Sequence, residues 1–363
     1  MTKPIALTRG VPADESFAID SLVDCAEQAL RRYSTTILQY HPAPGFMPLR
    51  EAIADREGVP VEQVMLGNGS IQLLDLLIRT TLHPGDSVLV ERPTYDRTIK
   101  ALRRAGCQVY GIPVEPDGPN LEALERALEE HRPRMLYIIP DFQNPTGATM
   151  SAAKRESLME LAAKHHALVV ADLPYRPLRY WGEDEPALAA CCDGTLVQMS
   201  SFSKLVSPGM RVGWMIAPEP FIDSMCTLAE SACICPSMVP EGIIYEFLRQ
   251  GLLAPTIERL KGLYGPRLRA CLDALEHHLP NAQWVKPEGG FFLGVTMPEG
   301  VSAREVRERA LTEGLTLADG ELFYPDGDGS RFIRIPFCGL SELDIETAIA
   351  RLAKAVRSFG DEN

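Results

Sequence analysis

Between about residues 60 and 220 the chain alternates short β-branched apolar runs with longer amphipathic stretches, and this alternation limits its fold more than any other feature. Parallel strands must be joined by crossovers, and amphipathic helices are the usual ones. The pattern therefore predicts an α/β fold with a mostly parallel sheet between helices. Seven candidate strands begin at Val64, Asp86, Gln108, Arg134, Ala167, Thr195 and Arg211. Helices are expected over 70–81, 95–105, 120–131 and 151–166, the last with Ser151 as its N-cap. From about Pro255 the order changes to a long helix over 256–278, then FFLGVTM, a short helix from Ser302, and FIRIPF. That order suggests a smaller α+β domain.

A chain of 363 residues is near the upper size of one core, so a large domain with a smaller companion is expected. The expected division is an N-terminal segment 1–40 packed on the small domain or a dimer interface, a large domain 41–255, and a small domain 256–363. The net charge of -13 opposes a nucleic-acid or anionic-membrane surface. No apolar run approaches the roughly 20 residues that span a bilayer, and the N-terminus lacks a signal-peptide core, so a cytoplasmic protein is expected. Nine cysteines is an odd number and suits reduced thiols. Neither Cys191-Cys192 nor Cys233-Ile234-Cys235 has zinc spacing, and the pairs His165-His166 and His277-His278 read as solvated helix ends, so no metal is expected.

Ligands of doubly wound folds sit beyond the carboxyl ends of the strands, and the unusual residues of this chain collect there. The first strand runs through Gly67-Asn68-Gly69-Ser70 into a helix, a fit site for a phosphate, although taken alone such a turn is more often a plain tight turn. The strand from Ala167 ends in Asp172-Leu173-Pro174-Tyr175, placing a carboxylate at the end of an apolar run, where burial would demand a partner. Next come Ser200-Ser201-Phe202-Ser203-Lys204 and Pro208-Gly209-Met210-Arg211. These hydroxyls and the guanidinium can hold an anion and leave the lysine for nucleophilic work. The loop Asp141-Phe142-Gln143-Asn144-Pro145-Thr146-Gly147 offers an amide, or is only a β-turn.

Taken together, GNGS, RPTY, NPTG, DLPY, SFSK followed by Arg211, PEGGFFL and FIRIPF resemble, in order and spacing over nearly the whole chain, the fold-type I pyridoxal 5′-phosphate (PLP) enzymes of aminotransferase class I/II. The stretch YHPAPGFMPLREAIA, with Tyr40, Gly45, Pro48, Leu49 and Arg50, is similar to the subgroup holding α-aminoadipate and kynurenine aminotransferases and the effector domains of MocR-type regulators. The resemblance implies PLP as cofactor, bound by Lys204 as an internal aldimine. It implies Asp172 at the pyridinium nitrogen, Asn144 and Tyr175 at the 3′-oxygen, and Tyr95 stacked on the ring. For the phosphate it implies Gly69, Ser70, Ser201, Ser203 and Arg211, with Tyr40 arriving from a neighbouring subunit and hence a homodimer. Arg334 would clamp the substrate α-carboxylate beside Asn144, with a planar fork that lysine lacks.

Two departures stand out. Ile71 occupies a position that is often polar in relatives, which shifts weight onto Ser201, Ser203 and Arg211. Thr8-Arg9-Gly10-Val11-Pro12 replaces a substrate-covering segment, so that Arg9 either reads a distal carboxylate or faces solvent. The expected reaction is transfer of an amino group from an L-amino acid to a 2-oxo acid, with 2-oxoglutarate implied by the subgroup. The same cofactor also supports elimination, cyclisation or oxidation. A regulatory PLP module is a further alternative, although about forty residues precede the domain and they carry no basic helical pair.

Overall fold

The computed structural model describes residues 3–191 and 195–357. Cys192 of the adjacent cysteine pair lies outside the described residues. After a short β1 (Ile5–Leu7) come the strands of the main sheet: β2 (Val64–Gly67), β3 (Ser87–Arg92), β4 (Gln108–Glu115), β5 (Gly118–Pro119), β6 (Met135–Ile138), β7 (Leu168–Asp172), β8 (Leu196–Ser201) and β9 (Gly213–Ile216). They lie in the order β2-β9-β8-β7-β6-β3-β4-β5. All seven expected strands are present. The eighth, β5, is a two-residue antiparallel return on the end of β4, too short to carry a periodic signal. Strands β3, β4, β6, β7 and β8 pair in parallel, whereas β9 runs antiparallel to both neighbours.

The central strands are buried along their whole length because helices cover both faces. Met135, Tyr137, Leu168 and Val170 point into one core, and Leu136, Ile138, Val169 and Ala171 into the other. Full burial of each large apolar side chain contributes about 1.5–3 kcal/mol, which keeps the strand ends in place as a platform.

The helix Leu121–His131 is capped by Asn120, whose Oδ1 accepts from the Ala123 N–H at 2.8 Å. The expected Ser151 cap is corrected: Ser151 precedes the helix Ala152–Lys164 but its side chain makes no cap hydrogen bond. Its backbone N–H instead donates to the Asp117 carbonyl at 3.0 Å, so the main chain docks this helix start.

The C-terminal region holds β10 (Gln283–Trp284), β11 (Phe292–Thr296), β12 (Leu315–Leu317) and β13 (Phe332–Pro336), with β10, β11 and β13 in one antiparallel sheet. The helix Leu253–His278 spans two cores: Leu260 and Tyr264 pack with the large sheet's cluster, Leu268, Cys271 and Leu275 with the C-terminal one. The N-terminal segment is likewise divided. Strand β1 pairs in parallel with β12, while the helix Ile19–Ile37 packs on the helix Met238–Arg249. Residues 8–11 pass between these contacts and border the cavity described next. Among the described residues no helix is long and apolar enough to cross a membrane.

Candidate active site

A cavity of about 590 Å³ opens at the carboxyl ends of the central strands and is closed on its other side by the N-terminal strap and the C-terminal region. Ser70, Tyr95, Asn144, Asp172, Tyr175, Ser201, Ser203, Lys204, Arg211, Arg334 and Arg9 all border it. Gly69 sits immediately before Ser70 against Arg211. Tyr40 lies elsewhere, 75% exposed.

Asp172 is the last residue of β7, so the apolar run that builds the strand carries the carboxylate into the interior. Its Oδ2 accepts from the Tyr137 hydroxyl of β6 at 2.8 Å, and its Oδ1 has no partner among the described residues. Burial raises this carboxyl to about 7, against the opposing pull of Tyr137 and Lys204. A carboxylate held this way calls for a positive partner in the cavity.

Lys204 follows β8 by three residues, and the turn that starts at Phe202 brings its side chain back under the strand ends. The Nζ donates to the Gly10 carbonyl at 3.1 Å and lies 5.5 Å from the centre of the Phe291 ring. Burial holds the ammonium below the usual lysine range, which enlarges the fraction of neutral, nucleophilic amine.

Opposite stands Arg334 from β13, stacked between the Phe292 and Phe323 rings with its guanidinium carbon 4.5 Å from each centre. Its Nη1 donates to Asn144 Oδ1 at 3.1 Å and its Nη2 to the Thr8 carbonyl at 2.9 Å, while Nε has no partner among the described residues. The aromatic sandwich fixes the plane of the fork.

At the far end of the cavity the helix Ser70–Thr81 begins, and the first amides of any helix lack intrahelical acceptors. Gly69 has φ +86°, and a side chain there would overlap the Arg211 guanidinium; one at Gly213 would overlap the Ser70 amide. Arg211, itself at φ +53°, donates to the Asn68 carbonyl at 2.9 Å. The Ser203 N–H donates to Ser201 Oγ at 3.0 Å, and both serines are buried. The start of this helix, the Ser201 and Ser203 hydroxyls and the Arg211 guanidinium thus border the same cavity.

Several contributors carried little sequence signal. Tyr137 was hidden in an apolar strand, and only the β6–β7 register puts it under Asp172. Phe323 and the carbonyls of Thr8 and Gly10 come from distant segments and have no motif. The Cys233 thiol accepts from Gln72 Nε2 at 3.5 Å, and Gln72 Oε1 accepts from the Asn68 N–H at 2.6 Å, linking the cysteine loop to the GNGS turn.

A doubly wound sheet with a buried lysine, a buried carboxylate that keeps one oxygen unpaired among the described residues, and an open helix start beside a guanidinium at one strand-end cavity defines a PLP-dependent enzyme of fold type I. The chain belongs to the aminotransferase class I and II family, whose family model matches residues 2–352, and it is a PLP-dependent transaminase. It is 34% identical to aromatic-amino-acid aminotransferase 1 of Thermococcus litoralis, covering 97% of this chain and 88% of that one. It is 33% identical to 2-aminoadipate transaminase of Thermus thermophilus, covering 98% and 90%. Among solved structures it is similar to the α-aminoadipate aminotransferase LysN of Thermus thermophilus complexed with N-(5′-phosphopyridoxyl)-L-leucine, with a TM-score of 0.94, 31% identity, and coverage of 99% and 94%. Pyridoxal 5′-phosphate is the cofactor. The residues present fit it: the free Asp172 oxygen suits a protonated ring nitrogen, and the side-chain-free approach at Gly69 and Gly213 leaves the helix start open to a phosphate.

The raised Asp172 value has a consequence for the cofactor-free protein. Unfolded, this carboxyl ionises near about 3.9; folded, it holds its proton to about 7. Its contribution to stability is therefore complete below the first value and is lost as pH rises through the second. Apoprotein carrying Asp172→Asn is expected to exceed the parent in stability at pH 8 by about 1–3 kcal/mol and to match it more closely at pH 4.5. Melting curves of both apoproteins across this range check it. Parallel pH dependences would show that Asp172 is not the titrating group.

Proposed function

We propose that the protein moves an amino group from an L-amino acid to a 2-oxo acid, with Lys204 as the covalent anchor of the cofactor. The observation that carries this reading is the meeting, in one cavity, of the buried Lys204 amine, the unpartnered Asp172 oxygen and the stacked Arg334 fork. When bound, PLP supplies a carbonyl that condenses with amines and a protonated ring that draws electrons from the substrate Cα. Lys204 Nζ, depressed in basicity by burial, is the chain's nucleophile and afterwards the base that carries the Cα proton. Asp172 keeps the ring nitrogen protonated. Asn144 and Tyr175 hydrogen-bond the 3′-oxygen, and Tyr95 stacks on the ring. Gly69, Ser70, Ser201, Ser203 and Arg211 take the phosphate.

Arg334 orients the α-carboxylate, using Asn144 and the Thr8 carbonyl to hold its own plane. Residues 41–255 act as the cofactor-binding domain, 256–363 as the smaller domain that supplies Arg334, and 1–40 as a strap. Tyr40 reaches the phosphate of a neighbouring subunit in a homodimer. In support, Tyr40, Ile19, Val23 and Leu38 are exposed apolar groups around the helix Ile19–Ile37, an unusual amount of such surface for one segment. Arg9 borders the cavity, is exposed and bonds none of the described residues, which leaves it free to read a distal carboxylate.

The test is purified protein loaded with PLP and offered a panel of acidic, aromatic and aliphatic amino acids with 2-oxoglutarate. The expected outcome is stoichiometric glutamate and 2-oxo acid, with Arg9→Met raising KM about tenfold for an acidic donor and leaving an aliphatic donor unchanged. Ammonia release or oxygen uptake without an acceptor would overturn the transamination reading. Equal effects of Arg9→Met on all donors would overturn the role of Arg9.

A further inference from the structure

Glu91, at the end of β3, is a carboxyl buried to 2% exposure with no ion-pair partner among the described residues, and the chemistry above does not use it. Its Oε2 accepts from the Ile139 N–H at 2.9 Å and from Gln143 Nε2 at 3.1 Å. Burial lifts this carboxyl to about 8, partly offset by those two bonds, so that at neutral pH it acts mostly as an uncharged acceptor. Gln143 Nε2 also donates to the Pro93 carbonyl at 2.7 Å. On its other side Gln143 Oε1 accepts from the Thr146 N–H at 2.9 Å and the Thr146 hydroxyl at 2.8 Å. Pro93 is two residues before Tyr95, and Gln143 immediately precedes Asn144. The group of bonds therefore joins the loop that carries Tyr95 to the loop that carries Asn144, and does so from the dry side of both.

Hydrophobic filling would stabilise such a place at least as well as a neutral carboxyl and amide. The polar pair has a property that filling lacks, since each hydrogen bond fixes a separation and a direction. Asn144 additionally receives Arg334, so a displacement of its loop reaches the substrate fork as well.

We propose that Glu91 and Gln143 are positioning residues that set the spacing between Tyr95 and Asn144, and through it the alignment of the bound cofactor. This rests on the role given to Asn144 above. Neither residue touches the cavity. They act by holding those that do.

The test uses PLP-loaded protein with Glu91→Leu, Glu91→Gln, Thr146→Val and, as a reference, Asn144→Ala. Three quantities are read: the pH midpoint of the bound cofactor's visible absorbance, the rate of cofactor loss on dilution, and kcat and KM separately. Glu91→Leu is expected to move the midpoint in the same direction as Asn144→Ala. It should also speed cofactor loss and lower kcat about tenfold with little change in KM. Glu91→Gln should restore parent values, because an amide oxygen accepts the same two donors. Thr146→Val, which keeps the shape but removes the hydroxyl that donates to Gln143 and accepts from the Ala148 N–H at 3.2 Å, should give a smaller shift of the same sign. A Glu91→Leu protein that melts earlier yet keeps the parent midpoint and cofactor-loss rate would reduce the pair to ordinary core packing and overturn the proposal. If Glu91→Leu does not fold, parent values in Thr146→Val overturn it. A parent midpoint in Asn144→Ala would instead overturn the Asn144 role itself, whereas a shift there with none in Glu91→Leu removes only the brace.

Discussion

Lys204→Ala is expected to lower kcat by on the order of 10⁵-fold and to abolish the covalent absorbance signature of bound cofactor, while leaving the fold in place. Lys204 is the only lysine bordering the cavity among the described residues, so no second amine stands ready to take over either the covalent attachment or the proton carried from Cα. Guanidinium groups at Arg9, Arg97, Arg211 and Arg334 cannot substitute, since a delocalised guanidinium lacks the nucleophilic amine that the covalent attachment needs. Structurally the change is small: it removes one bond to the Gly10 carbonyl, worth about 1 kcal/mol, and a contact with the Phe291 ring. The decisive measurements are absorbance spectra with single-turnover kinetics, beside circular dichroism as a control for folding. A folded variant that keeps the parent spectrum, or more than a trace of turnover, would remove Lys204 from the centre of the mechanism.

Arg334→Lys should be nearly as damaging despite conserving the charge, with kcat/KM for amino acids falling by about 10²–10³. Arg334 presents three nitrogens in one plane, spends two on Asn144 and Thr8, and is stacked between Phe292 and Phe323. A lysine ammonium has no plane to stack and cannot hold both partners and a carboxylate in fixed directions. The check is to compare an amino acid with the corresponding amine that lacks the carboxylate. Loss confined to the amino acid supports carboxylate recognition. An equal loss for both would assign Arg334 to the architecture of the Asn144 loop instead.

The sheet was readable because each central strand is an uninterrupted apolar run bounded by turn residues, as in β6 and β7. Strands of two or three residues, such as β5, β10, β1 and β12, have no periodicity to detect, and they form because a partner strand is already in place. Asp172 and Lys204 were legible for a related reason. A charged group ending a buried run is conspicuous, and the rule that sites gather at strand ends gives it a location. Tyr137 and Glu91 lie in similar runs without standing out, since a polar tip on a strand looks the same whether it faces solvent, a core or a site. The Ser151 cap failed for a different reason: the residue type favours a cap, but the Asp117 carbonyl from another segment held the main chain there.

What the sequence determined by itself was therefore the order of elements, the strand-end position of the carboxylate and the amine, and the helix start suited to an anion, all properties of short windows. The tertiary structure alone decided that Gly10, Lys204 and Arg334 share a cavity, that Phe292 and Phe323 stack the guanidinium, and that burial raises the Asp172 carboxyl and lowers the Lys204 ammonium from their ordinary ranges. The physical reason is that stacking and desolvation depend on what lies within a few ångströms in space, whichever part of the chain supplies it.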